Sequence, residues 1–235
     1  MFEDLTRENV DRYVVAEFGR PKWRDARVKL VEHGGRRAVL KDVRDCPPLV
    51  RFTLGRRLIA REFRIYRMLE GAEGVPRAYR MIDRDAFLVE HIDGQVLSRK
   101  KVGRGLVVGP EFYERCLELV AALHRRGVVH LDLRNTKNVL FCEGGRPYLV
   151  DFASAIRLPG WLPCRERLLG WLGAADRAGV LKMKERLSPE LLSDAERRFL
   201  RRFERVRSVL LPHSGLVRAV RRTVRRRRRR KTAKS

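Results

Sequence analysis

The run Val129-His130-Leu131-Asp132-Leu133-Arg134 is followed by Asn138-Val139-Leu140 and then by Leu149-Val150-Asp151-Phe152. Asp132 offers a carboxylate that can orient an attacking hydroxyl. Asn138 and Asp151 offer hard oxygen atoms, which suit a magnesium ion held against phosphate groups. An Asp, then an Asn, then an Asp at the end of an apolar strand is the equipment for moving a phosphoryl group from Mg-ATP. In that reaction positioning and charge neutralisation supply nearly all of the catalysis. Each residue alone would mean little; the ordered set carries the reading.

Such a set must be held by particular elements. Ala26 to Val31 and Arg37 to Val43 read as two strands of a hairpin closed at His33-Gly34-Gly35. Period-two alternation puts Val39, Lys41 and Val43 on one face. A lysine between valines is either an inward charge that needs a partner or a side chain that snorkels to the surface. The next segment, Leu58 to Leu69, carries Leu58, Glu62, Ile65 and Leu69 on one helical stripe. Glu62 amid apolar neighbours is costly unless paired, and pairing it with Lys41 satisfies both groups. Ala86 to Gly94 is an apolar strand running into a polar, glycine-closed segment. Pro110 to Arg126 has a helix-starting proline, apolar residues at Phe112, Cys116, Val120 and Leu123, and a closing Gly127. Val139 to Cys142 and Tyr148 to Asp151 form a second hairpin around Gly144-Gly145, which brings Asn138 and Asp151 together.

In this order the residues resemble the protein-kinase-like superfamily. Ala38-Val39-Leu40-Lys41 is similar to the Val-Ala-Ile-Lys of the third kinase strand. Leu123-His124-Arg125-Arg126-Gly127-Val128-Val129-His130 is close to a run found before kinase catalytic loops. The resemblance spans about residues 26–155 and implies an α+β, two-lobed protein-kinase-like fold. Its β-rich N-lobe would occupy residues 1–91, its reduced helical C-lobe 92–217, and a disordered Arg-rich tail 218–235.

The resemblance also implies roles. Lys41, paired with Glu62, would point at the phosphates of ATP, and the backbone of Glu90 and Ile92 would meet the adenine edge. Asp132 would accept the hydrogen bond of the acceptor hydroxyl, and Asn138 and Asp151 would ligate Mg2+. Arg134 stands where many kinases have a lysine facing the transferred phosphate. His130 reads as a brace for the loop rather than an acid or base.

Three departures from the pattern stand out. Five residues, Leu133 to Lys137, separate Asp132 from Asn138 where the pattern has four, which leaves Asn135 as an alternative ligand. Ala16 to Trp23 has only Gly19 where a phosphate-covering loop has three glycines, although Arg20 and Lys22 could supply charge there. Ala153 replaces the glycine after Asp151-Phe152, and Ser188-Pro189-Glu190 reads as a helix start rather than as part of an activation segment.

The net charge is +25, and residues 218–235 hold eleven of those positive charges with no acid, which leaves +14 on residues 1–217. Such a field draws anionic partners: phospholipid, phosphorylated glycan or nucleic acid. Cys46, Cys116, Cys142 and Cys164 have no metal or redox spacing and read as reduced thiols of a cytoplasmic protein. The start of the chain lacks a signal-peptide pattern. No stretch approaches the ~18 apolar residues of a membrane span, so the chain is expected to be soluble or to lie on the inner face of a membrane.

With so short a C-lobe, the chain resembles lipopolysaccharide-core (Kdo and heptose) kinases and RIO-type atypical kinases. Asp176 to Lys184 followed by Ser188 to Leu192 looks like the C-terminal part of the former group. The expected acceptor is then an anionic, lipid-linked glycan, with Trp161, Leu162, Leu168, Leu169, Trp171 and Leu172 and the interleaved Arg165 and Arg167 marking either a membrane-interface helix or an ordinary packing helix. Two alternatives stay open: an atypical serine/threonine protein kinase, and a non-catalytic module binding RNA or membrane through the tail.

Overall fold

The computed structural model describes residues 2–19, 25–102 and 104–210. Arg20, Lys22 and the tail at 218–235 lie outside the described residues. The elements run β1 (Val14–Phe18), β2 (Arg27–His33), β3 (Arg36–Asp42), α1 (Pro48–Val50), α2 (Arg56–Met68), β4 (Ala78–Met81), β5 (Ala86–Glu90), β6 (Gln95–Val96) and α3 (Arg99–Val102). Then come α4 (Pro110–Arg125), β7 (Val128–Val129), β8 (Val139–Phe141), β9 (Pro147–Leu149), β10 (Ile156–Arg157), α5 (Arg165–Leu187) and α6 (Asp194–Leu210). The class is α+β, with a sheet-rich N-terminal region and a helical C-terminal region.

The first five strands form an antiparallel sheet in the order β1-β2-β3-β5-β4. Alternation sorts its side chains onto two faces. Val31, Ala38, Leu40, Ala86 and Leu88 point one way and are covered by Phe2, Leu5 and Val10 from the chain's start. Val39, Lys41, Phe87 and Val89 point the other way, and Val39, Phe87 and Val89 pack in a cluster with Ile65, Tyr66 and Leu69 of and after α2. The β2–β3 turn at Gly34-Gly35 has φ of 57° and 71°, left-handed values that glycine adopts without strain.

The second expected hairpin also forms, with Val139 opposite Leu149 and Phe141 opposite Pro147. β6 joins its edge, and β7 pairs instead with β10. The expected boundaries hold to within two residues for the β2–β3 hairpin, α2 and α4. One local reading changes. Trp161 and Leu162 precede α5 rather than lying on it, because the chain turns through Cys164 at a left-handed φ of 61°. Ser188-Pro189-Glu190 opens a single 3-10 turn, Pro189–Leu191, and the Ser188 hydroxyl bonds the Tyr113 hydroxyl at 3.0 Å.

The described residues fall into two units, one ending at Leu191 and one beginning at Leu192. Within the second, Ser193 and Glu196 cap the start of α6 reciprocally, each side chain accepting from the other's backbone N–H at 3.2 and 2.8 Å. Among the described residues no helix is long and apolar enough to cross a membrane.

The N-terminal segment is integral to the sheet's packing, since Leu5 is fully buried. Leu5→Ala should therefore destabilise the protein by about 2–5 kcal/mol. Urea unfolding checks this: the midpoint should fall with little change in slope.

Candidate active site

Lys41 is the centre of the arrangement. Its position on β3, opposite Phe87 of β5, turns it toward α2. There its Nζ donates to Glu62 Oε1 at 2.5 Å and to Asp151 Oδ1 at 2.7 Å. The Lys41 and Glu62 side chains are 9% and 4% exposed, whereas Asp151 is 46% exposed, so only the last presents a carboxylate to solvent. Burial acts to lower the lysine, but Glu62, Tyr66 and Asp151 more than reverse this and hold it charged, above the ordinary lysine range. Burial pushes Glu62 up against the pull of Lys41. Asp151 ends below the usual carboxylate range: burial opposes ionisation there, and the charge and hydrogen bond of Lys41 outweigh it.

The turn that carries Asp151 is fixed from several sides. Asp151 itself has a left-handed φ of 64°, an uncommon state for a residue with a side chain. Its N–H donates to the Tyr66 hydroxyl at 3.1 Å, and Arg61 donates to the Ala153 carbonyl. Phe152 is fully buried between Tyr66, edge-on at 5.0 Å, and the His130 ring at 4.7 Å. Ala153 is thus tied to α2 where a glycine would leave the turn looser.

The loop after β7 holds Asp132. Asn138 Nδ2 donates to Asp132 Oδ2 at 3.0 Å and to the Asp132 carbonyl at 3.1 Å. The loop closes in a 3-10 turn, Thr136–Asn138, capped by Asn135. Asn135 is exposed, whereas Asn138 is buried against Asp132; of the two, Asn138 lies inside the site. The Asn138 carbonyl accepts from the N–H of Val150, which brings it within one residue of Asp151. His130 Nε2 meets the Val150 carbonyl at 3.1 Å, so the ring braces the loop as its sequence context implied. Burial lowers its pKa and keeps the imidazole neutral near pH 7.

Beneath the loop lies a residue that carries more of the geometry than its sequence context revealed. Asp176 of α5 is fully buried. Its Oδ2 accepts from the N–H of His130 at 2.7 Å and contacts His124 Nε2 at 3.1 Å, and its Oδ1 accepts from the N–H of Leu131 at 2.7 Å. Leu131 has a left-handed φ of 66°, and these bonds hold it there. One turn on, a Cβ at Gly179 would come within 2.8 Å of the Leu133 carbonyl carbon, so only glycine allows α5 this close to the loop. Arg134 follows, half-buried.

The inner face of β1, β2 and β3 forms an apolar surface above this constellation. Cross-strand pairing puts Phe18 beside Val28, Ala16 beside Leu30, Leu30 beside Val39, and Val28 beside Lys41. Phe18 is 45% exposed and its ring lies parallel to that of His91, 8° apart in plane with centroids 6.4 Å apart. Glu90 ends β5 opposite Ala38, and its Oε2 accepts from the Arg77 N–H at 2.9 Å, so its side chain is committed there. Ile92, two residues on, is half-buried. The structure thus joins Lys41, Glu62 and Asp151 directly, joins Asp132 to Asn138 directly, and links the two groups through Val150. Glu90 and Ile92 stand at the sheet's far end, with no hydrogen bond among the described residues tying them to either group.

Asn138 and Asp151 are the residues that could hold a hard cation. Asn138 uses Nδ2 on Asp132, leaving Oδ1 with only a long 3.4 Å contact from Asn135. Among the described residues no group of three or more His, Cys, Asp or Glu is built as a metal site. Two protein oxygens completed by waters and phosphate oxygens are nonetheless how magnesium is commonly bound. No protein-family model matches the chain.

Asp151 contributes stability in full above about pH 4 and loses it as pH falls through its lowered native value. In Lys41→Met the largest influence lowering Asp151 is gone, and burial is opposed only by the lesser influences of His130 and the Ala153 N–H. The Asp151 titration midpoint, followed by carbon-detected NMR, should then move upward past the ordinary Asp range. An unmoved midpoint would break the assignment of Lys41 as its partner.

A different test addresses Asp176. Asp176→Ala leaves two buried backbone N–H groups without acceptors and should cost about 2–5 kcal/mol in urea unfolding.

Proposed function

We propose that the protein is a phosphotransferase with a two-lobed, protein-kinase-like fold, moving the gamma-phosphate of Mg-ATP to an acceptor hydroxyl. The reading rests on one observation above all: a buried lysine bridges a helix carboxylate and a second, partly exposed carboxylate beside an Asp–Asn pair. A purely structural ion pair needs no second carboxylate that is partly open to solvent. The apolar inner face of β1 to β3 suits a planar base, with Phe18 and His91 at its edge and the backbone of Glu90 and Ile92 alongside.

In this reading Lys41, kept charged by its two carboxylates, neutralises phosphate oxygens, and Glu62 keeps it in place. Asp132 takes the hydrogen bond of the acceptor hydroxyl and aims its oxygen; the Asn138 amide fixes that carboxylate's rotamer. Arg134 adds positive charge for the transferred group. Asn138 and Asp151 would hold Mg2+, which when bound screens charge on the phosphates. His130 stays neutral and takes no proton. Asp176 sets the direction of Asp132 through two backbone bonds.

The acceptor class follows from charge. A body of +14 before the tail favours an anionic acceptor, and a lipopolysaccharide-type or other membrane-linked glycan on the cytoplasmic face fits it best. A protein hydroxyl is the alternative acceptor, and the Arg-rich tail leaves a non-catalytic role on RNA or membrane as the third reading.

The test is transfer from gamma-labelled Mg-ATP to separated lipid-glycan and protein fractions. Asp132→Ala should lower labelling of the glycan fraction about 10²–10⁴-fold. Label only in protein would move the acceptor to the second class. Undiminished label in the variant would remove Asp132 from the chemistry, and no transfer to either fraction would favour the binding module.

A further inference from the structure

One apolar surface takes no part in the site just described. Val129, Leu158 and Leu169 form a small core cluster, covered by the half-buried Leu162, Leu168 and Leu172. Flanking these leucines in sequence are the two most solvent-open aromatic residues of the described chain: Trp161 is 80% exposed and Trp171 58% exposed. Both indoles are mostly open to water, and each stands next in sequence to a leucine that packs on the cluster, Trp161 before Leu162 and Trp171 before Leu172.

Within residues 156–177 the exposed charge is mostly positive. Arg157 on β10, Arg167 on α5 and Arg125 at the end of α4 are all exposed. These elements are neighbours, since Arg157 pairs with Val128 and the Gly127 carbonyl accepts from Leu158. Between Ile156 and Arg177 the acids are Glu166, which Arg165 holds at 2.7 Å, and the buried Asp176. Tryptophan with leucine inside a basic rim matches the headgroup boundary of an anionic bilayer: the indole has an apolar body and a polar N–H, and the arginines meet lipid phosphates. A protein partner of matching shape would need acidic groups around an apolar socket. A bilayer supplies both everywhere.

We infer that the Trp161–Trp171 face docks onto an anionic phospholipid membrane. Leu131, the residue before Asp132, packs against the same cluster, so docking this face sets the Asp132 loop close to the lipid surface. The docking is independent of the phosphotransfer reading, and the two can fail separately.

The experiment uses the full-length protein carrying Trp23→Phe, which leaves Trp161 and Trp171 as its only tryptophans. It is mixed with phosphatidylcholine vesicles or with phosphatidylglycerol–phosphatidylcholine vesicles, each with brominated acyl chains. Quenching of tryptophan emission in the anionic vesicles only is the expected result. Trp161→Ser/Trp171→Ser should keep its circular dichroism, because both side chains are exposed, and lose vesicle affinity by about tenfold or more. Binding with unquenched tryptophans, or binding unchanged in the double variant, would assign attachment to charge elsewhere in the chain and overturn the inference. Absence of vesicle binding would overturn it as well. A concentration-dependent dimer abolished by the same double variant, without vesicle binding, would give the face to a second copy of the chain instead.

Discussion

A single buried ammonium organises this molecule. Removing one charge from water costs several kcal/mol unless opposite charges meet it at close range. Lys41 is met by Glu62, 21 residues away in sequence, and by Asp151, 110 residues away. The requirement therefore reaches across the chain. The register of β3 must turn Lys41 inward, α2 must present Glu62 on its buried stripe, and the turn after β9 must bend Asp151 back toward the sheet. The left-handed backbone at Asp151, its N–H bond to the Tyr66 hydroxyl and the bond from Arg61 to the Ala153 carbonyl follow from that last demand. A sheet and a distant hairpin become mutually dependent through one nitrogen atom.

Asp176 does for the neighbouring loop what the lysine does for the sheet. A fully buried carboxylate has to be satisfied, and here it is satisfied largely by backbone N–H groups of the loop that carries Asp132. The strained Leu131 and the close approach at Gly179 are the geometric results. Both anchors use the same physics: polar groups withdrawn from water can be satisfied in few ways, so they fix position more tightly than apolar contacts of equal area.

Local pattern made much of this legible. Alternation in residues 37–43 and the stripe through Glu62 pointed to the Lys41–Glu62 pair, and Pro110 and Gly127 marked α4. Hairpin spacing brought Asn138 toward Asp151. Other features had no local signal. The sequence read Asp176 as part of a resembling stretch with no stated role, because a buried aspartate on a helix looks like a solvated one until its partners are known. Tyr66 sits one position from the apolar Ile65 and its hydroxyl acts only in three dimensions. Phe2, Leu5 and Val10 lie in a polar segment too short to show a period, so their place over the sheet could not be read. Trp161 and Leu162 were grouped with the leucines of α5, and nothing local in the sequence showed that the turn at Cys164 separates them.

The N-terminal strap has a consequence during synthesis. Leu5 and Val10 are made well before Ala86 and Leu88, which complete the surface that buries them. At ordinary elongation rates the wait is on the order of 10 s. Throughout it, Leu5 and Val10 have no native partner on β5, and they are open to any chaperone near the exit tunnel. Closure of the strap is a late, long-range step, which gives this sheet a slower final assembly than its two tight hairpins would on their own.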